Sequence, residues 1–337
     1  MNKILVIRFS SIGDIVLTTP VVRCLKKQPP GCEIHYLTKK AFEPVLKSNP
    51  YITKIITIDK KIGEVIPILK AEKYDYVVDL HKNFRSLGVR WRLGVKSSAF
   101  PKLNFKKWLL VALKINLMPD IHIVDRYFKA VHSLGVRNDG DGLDYFIPER
   151  DRVNPDEIPE GQRNGYLAVV IGGKHKTKQL PVDKVVALLK KVASPVIILG
   201  GREDAPEGNL IESEAGSHVW SACGKFSLNQ SASLVEQARL VITNDTGLMH
   251  IAAAFKKPTI SIWGNTVPEL GMYPYMPANP ERFRIFEVKG LSCRPCSKIG
   301  YKSCPKKHFD CMMKQDVDGM VSAVNQMWAM NPPGGLY

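Results

Sequence analysis

Three short stretches carry side chains able to do chemistry, and each follows an apolar run where a strand gives way to a helix. Ser10-Ser-Ile-Gly-Asp14 follows residues 4–7, Gly172-Gly-Lys-His-Lys-Thr-Lys-Gln-Leu-Pro181 follows 166–171, and Asn244-Asp-Thr-Gly-Leu-Met-His250 follows 240–243. Glycine lets backbone approach a ligand closely, and the exposed N–H groups of a helix start attract anions. Asp14 at such a mouth either caps a helix or serves as a general base, while Ser10 and Ser11 beside it can donate hydrogen bonds to phosphate. Lys174, Lys176 and Lys178 crowd the second turn, where like charges repel unless something anionic neutralises them. In the third, Asp245 and Thr246 sit where a helix begins, Gly247 permits close approach and His250 lies one turn further in. A capped helix with a satisfied histidine is the structural alternative there. No G-x-x-x-x-G-K-[ST] spacing and no G-x-G-x-x-G is present, which counts against a Walker nucleotidase and a nicotinamide enzyme.

The elements that must position these residues are legible as alternation. Strand-like runs at 4–7, 33–37, 54–58 and 76–80, then 166–171, 195–199, 240–243 and 258–263, are separated by stretches long enough for crossover helices. That pattern predicts α/β architecture with parallel sheets covered on both faces. In the first crossover Pro20 suits a helix's first turn, with Thr19 able to cap, so the helix is expected from Pro20 with 10–18 as a loop or short turn. Residues 137–164, rich in Gly, Pro, Asp and Glu, read as a linker. The division expected is 1–150 and 151–337, two αβα domains facing a central cleft. Residues 317–330 place apolar side chains at helical spacing, and the Pro-Pro-Gly-Gly tail that follows is expected to be mobile.

Length and composition agree with two cores: 337 residues, 45% hydrophobic. No apolar stretch reaches the ~20 residues of a membrane span, and Arg8 and Asp14 break the N-terminal apolar run, so a cytoplasmic location is expected. Seven cysteines fit reduced thiols better than a disulfide framework. The 48 Lys and Arg against 32 Asp and Glu give +16, which calls for an anionic partner. Between Lys82 and Lys114 there is no acidic residue, and Phe100, Phe105, Trp108, Leu109 and Leu113 are interspersed with basic ones. Such a tract is either a solvated basic face or a surface lying in a lipid interface.

With these motifs in order, the chain resembles glycosyltransferase family 9, the ADP-heptose:lipopolysaccharide heptosyltransferases, over nearly its whole length. The resemblance rests on Ser10-Ser-Ile-Gly-Asp14, Asp79-Leu-His-Lys-Asn-Phe-Arg-Ser86, Lys178-Gln-Leu-Pro181, Gly200-Gly-Arg-Glu203 and above all Asn244 to His250. It implies a GT-B fold of two Rossmann-like lobes, with the acceptor on the N-terminal lobe and an ADP-linked sugar on the C-terminal one. The implied reaction is an inverting transfer of heptose to the lipopolysaccharide inner core at the cytoplasmic face of the inner membrane, with no cofactor or metal required. Carried over by position, Asp14 resembles the general base and Lys178 the lysine that contacts the diphosphate. Ser10, Ser11, Gly13, Gly173, Lys174, Glu203, Asp245, Thr246, Gly247 and His250 fall on the donor side, and Lys82, Asn83, Arg85, Arg90 and Arg92 on the side of an anionic lipid-linked saccharide acceptor. The chain departs from the family at Gly173 and Lys174, where members often carry hydroxyl residues, and at Gly264-Asn-Thr266, where many have Gly-Pro-Thr.

Two alternatives accompany this reading: a same-fold transferase using another nucleotide sugar or acceptor, and a basic nucleic-acid-binding protein. Against the second, no RNP, KH or helix-turn-helix signature occurs, so nucleic acid is not an expected partner. Cys293, Cys296, Cys304 and Cys311 form a C-x2-C-x7-C-x6-C array. The array suits tetrahedral zinc, or else consists of reduced thiols pinning an irregular loop.

Overall fold

The computed structural model describes residues 2–28, 31–59 and 61–332. The expected tail mobility concerns residues beyond 332 and so lies outside the described residues. The chain folds into two compact units, one of residues 1–103 and 121–148, the other of 104–120 and 149–337.

In the first unit five parallel strands, β1 (Lys3–Ile7), β2 (Glu33–Lys39), β3 (Lys54–Ile58), β4 (Tyr76–Asp79) and β5 (Ser97–Ala99), form a sheet in the order β3-β2-β1-β4-β5. Interior parallel strands are covered on both faces, which is why Ile4, Leu5, Val6 and Ile7 are all buried without alternation. One face carries Leu5, Ile7, Leu37 and Val77 against Leu69 and Val89 from helices Ile66–Ala71 and Phe84–Leu93. The order reverses at β1, with β2 and β3 on one side and β4 and β5 on the other. In open parallel sheets such a reversal opens a crevice at the carboxyl ends of the strands.

The second unit repeats the plan with β6 (Leu167–Val170), β7 (Val196–Leu199), β8 (Val219–Ser221), β9 (Leu240–Asn244), β10 (Thr259–Trp263) and β11 (Phe283–Glu287), ordered β11-β10-β9-β6-β7-β8 and all parallel. Successive residues of β6 face opposite cores. Leu167 and Val169 pack with helices Val182–Leu189 and Val317–Met330, whereas Ala168 and Val170 pack with Leu234, Val235 and Ala252 from the helices on the other side. The last helix begins where Asp316 accepts from the Gly319 N–H at 2.8 Å, and it buries Met320, Val324 and Met327 at helical spacing. Here the order reverses between β6 and β9.

Two local expectations differ from the structure. A short helix, Ile12–Val16, precedes Thr19–Lys27, whose N-cap is Thr18, and Thr19 lies inside the helix with its hydroxyl donating to Val16 O at 2.7 Å. The polar stretch read as a linker is pinned to the first unit as far as Pro148. The buried Arg23 guanidinium holds Asp139 at 2.7 Å, Asp144 at 2.5 Å and Gly142 O at 2.9 Å. The hydrogen bond from Arg23 brings the Asp139 carboxyl down to about 2. Breaking a buried ion pair strands the charges left behind, and here both carboxylates keep some hydration, so Arg23→Ala should cost about 2 kcal/mol in urea unfolding at neutral pH. A loss below a few tenths would show that the pinning is incidental.

Residues 104–120, expected in the first domain, cluster with the second unit. Leu110 buries against Val267 and Leu270, and Lys114 donates to Pro295 O at 2.6 Å. Among the described residues no helix is long and apolar enough to cross a membrane.

Candidate functional site

In the first unit the loops after β1 and β4 meet at the reversal point. Arg8, one residue beyond β1, donates from Nη1 to Leu80 O at 2.6 Å and from Nε to Ser10 O at 2.8 Å, joining the two loops. Its Nη2 lies 2.5 Å from Asp14 Oδ1. Burial works against the Arg8 charge, but Asp14 and its other neighbours outweigh it and the pKa is raised. Asp14 Oδ2 accepts from the Ser11 N–H at 3.1 Å and the Ser11 hydroxyl at 2.7 Å. Asp14 is therefore both half of a capping box and an ion-pair partner, held on two sides at the mouth of the crevice. The Ser11 hydroxyl, read as a phosphate donor, is committed to Asp14. Gly13 is buried in the first turn of its helix, and Ser10 contributes its carbonyl to Arg8.

The β4 loop is organised by Asp79, which is fully buried and accepts from the His81 and Lys82 N–H groups at 3.0 and 2.8 Å. These bonds hold Lys82 in the left-handed region at φ 50°. His81 packs edge-on to Phe9 with ring centroids 5.0 Å apart. Burial, then Arg8 and Lys102, lower its pKa to about 3, so it is neutral across the physiological range. Of the acceptor-side residues, Asn83 is an N-cap, accepting from the Ser86 N–H at 2.9 Å. Arg90 donates to Ser97 Oγ at 3.0 Å and stands 3.8 Å from Asp79, leaving Lys82, Arg85 and Arg92 as the exposed cations.

In the second unit the lysine turn after β6 and the Asp245 turn after β9 converge at the other reversal point. Lys178 Nζ sits 2.5 Å from Asp245 Oδ2, which also accepts from the Thr266 hydroxyl at 2.9 Å. Lys176 pairs with Glu207 at 2.7 Å, so carboxylates of this chain neutralise two of the three lysines, and Lys174 stays exposed. Gly173 passes close to Thr246, where an added Cβ would approach Cγ2 at 3.2 Å. Thr246 is the N-cap of helix Gly247–Ala254 but makes no side-chain cap bond, leaving the N–H groups of that helix start without a side-chain acceptor. His250 is buried on the inner side of the helix, and Glu203 is exposed beyond β7.

The Cys-rich segment braces this site. Tyr301 and Thr177 exchange hydrogen bonds, with the Tyr301 N–H donating to Thr177 Oγ1 at 2.8 Å. Arg294 pairs with Glu287 at 2.6 Å and donates to Gly264 O at 2.6 Å and Thr266 O at 3.0 Å, fixing the turn that supplies Thr266 to Asp245. All four cysteines are free thiols, and burial pushes Cys311 up to about 12. Among the described residues no three His, Cys, Asp or Glu side chains are grouped to hold a metal ion. Sequence reasoning missed Arg8, His81, Thr266 and Arg294. Each has a chemically capable side chain within or beside a quoted motif, but its role rests on a partner distant in the chain. Of the apolar residues in the basic tract, Phe105, Trp108 and Leu113 are exposed, whereas Phe100 is buried against Tyr127.

Two Rossmann-like units, each a parallel sheet with polar side chains gathered at its reversal point, are the plan of the GT-B fold. The fold matches a family 9 glycosyl transferase from Veillonella parvula, with a TM-score of 0.75 and 20% identity over 97% of both chains. It also matches the E. coli ADP-heptose lps heptosyltransferase II, with a TM-score of 0.72 and 19% identity over 96% of this chain and 98% of that one. In sequence the chain is 27% identical to lipopolysaccharide heptosyltransferase 1 of Campylobacter coli over 298 residues, 78% of this chain and 84% of the relative. The model of glycosyltransferase family 9 (heptosyltransferase) matches residues 63–303, and the chain belongs to that family.

Proposed function

We propose that this glycosyltransferase moves heptose from ADP-heptose onto the inner core of lipopolysaccharide, with inversion at the anomeric carbon. The acceptor binds the first unit and the donor the second. The observation that carries the reading is that each unit has its own polar site at its sheet reversal, a fixed carboxylate in the first and, in the second, a lysine beside a helix start that has no side-chain cap. In the transfer, the acceptor hydroxyl attacks the anomeric carbon and gives its proton to Asp14, whose Arg8 and Ser11 contacts hold the carboxylate in place. The bond from that carbon to the diphosphate breaks. Lys178 and the N–H groups at Thr246 and Gly247 take up the charge on departing ADP. Since Lys178 pairs with Asp245 at 2.5 Å, a diphosphate that takes the ammonium competes with that carboxylate for it. Lys82, Arg85 and Arg92 meet the acceptor's carboxylates and phosphates.

The enzyme works as a peripheral protein at the cytoplasmic face of the inner membrane. Phe105, Trp108, Leu113, Ile115 and Leu117 are exposed beside Lys106 and Lys107, the composition of an interfacial segment. Incubating the protein with Kdo-lipid A and a panel of ADP-, UDP- and GDP-sugars should give product only with ADP-heptose, seen as the mass of one added heptose. Transfer from a UDP- or GDP-sugar instead would overturn the donor assignment.

A further inference from the structure

The helix Phe84–Leu93 has two apolar faces, and only one of them is used inside the protein. At about 100° per residue, Ser86, Val89 and Leu93 point inward, and Val89 belongs to the core of the first unit. On the opposite side Phe84, Leu87, Gly88 and Trp91 share an arc about 100° wide. Phe84 is 92% exposed, Trp91 82% and Leu87 53%. The helix is well built: Asn83 and Ser86 form a capping box at its start, and Gly94 at φ 67° ends it. The outer face is thus a formed surface, and two aromatics held almost wholly in water on a ten-residue helix need a partner.

Charge identifies the partner. Arg85 and Arg92 flank the stripe on one side and Arg90 lies toward the other, with no acidic residue anywhere from Lys82 to Lys114. Apolar and aromatic side chains rimmed by arginines, on a segment that itself carries no carboxylate, match the boundary between headgroups and acyl chains of an anionic bilayer. A protein partner of ordinary composition would meet this rim with carboxylates. A second copy of this chain would bring like charge against like charge, given the net +16.

We infer that the Phe84–Leu87–Trp91 face of this helix inserts into an anionic phospholipid surface and gives the acceptor-side unit a membrane contact of its own, apart from the 104–117 segment. The inference rests on the heptosyltransferase reading for its location and is independent of the donor. The stripe seats the acceptor-side unit at the depth where lipid-linked saccharide begins.

Leu87→Ser/Trp91→Ser, which alters only exposed side chains, should bind vesicles of mixed phosphatidylcholine and phosphatidylglycerol about tenfold or more weakly than wild type in cosedimentation. ADP affinity and transfer to a water-soluble, deacylated acceptor should be unchanged. In the wild-type protein, brominated phosphatidylglycerol should quench a fluorescence component that is missing from Trp91→Phe. Equal vesicle binding by variant and wild type, or no quenching assignable to Trp91, overturns the inference. So does a wild-type dimer that the double variant converts to monomer, because the stripe would then belong to a second copy. If vesicle binding falls as expected but no ADP-heptose is turned over by wild type, the membrane face stands and the heptosyltransferase reading fails.

Discussion

Asp14→Asn should lower turnover by about 10²-fold or more while leaving ADP affinity within about twofold of wild type. The amide keeps the shape of the carboxylate and its one oxygen can still accept from Ser11, so the capping box loses little, although its NH2 then faces Arg8 and the ion pair is lost. What it cannot do is take a proton from the acceptor hydroxyl as the anomeric carbon develops cationic character. The Arg8 contact makes the result more informative. Arg8 is 2.5 Å from Asp14 and also ties the β1 and β4 loops together. A loss of activity caused by disturbed loops would appear in Arg8→Lys as strongly as in Asp14→Asn. A loss caused by the missing base would leave Arg8→Lys with reduced but measurable turnover and a changed pH profile. Near-normal turnover in Asp14→Asn, measured with saturating donor, would remove Asp14 from the chemistry and leave it as a cap.

Why some of this was legible in the sequence and some was not follows from where each strand and each partner lies. Interior strands such as β1, β6 and β9 are covered on both faces, so their residues read as unbroken apolar runs. The strands missed, β5, β8 and β11, all lie at sheet edges. Ser97–Ala99 has no apolar run, and Phe283–Glu287 is only half-buried with two charged residues in five. An edge strand does not need apolar side chains on both faces, and its hydrogen-bonding partner lies elsewhere in the chain.

The same limit governs the site. Asp14 stood out as a charged side chain past an apolar strand, where it caps or does chemistry, whereas Lys178 was singled out from the two other lysines of its turn only by the family resemblance. Their partners were not legible, since an ion pair is a tertiary fact: Lys178 meets Asp245 across 67 residues. Composition was misleading for 137–148, where Asp139 and Asp144 read as solvated linker residues but reach back 116 and 121 residues to a buried arginine. In the basic tract, Phe100 and Phe105 look alike in sequence, yet one is core and the other surface.

Lys178→Ala should reduce kcat/KM for the ADP-linked donor by about 10²–10³-fold, the scale of losing one charged group aimed at a developing anion. ADP affinity should fall with it, because in the proposed role the ammonium would contact the diphosphate before and after the bond breaks. Lys96→Ala, an exposed cation of the other unit, should leave ADP affinity unchanged. The ion pair offers a sharper test than the lysine alone. If Lys178 serves only to brace Asp245, then Asp245→Asn and Lys178→Ala break the same contact and should shift ADP affinity and melting temperature alike. If it serves the diphosphate, Asp245→Asn frees the ammonium from its competitor. Affinity for inorganic pyrophosphate, a probe that lacks the sugar, should then hold or rise in Asp245→Asn while it falls in Lys178→Ala. Isothermal titration of both variants against pyrophosphate and ADP decides between the two, and a parallel loss in both would assign Lys178 to the scaffold.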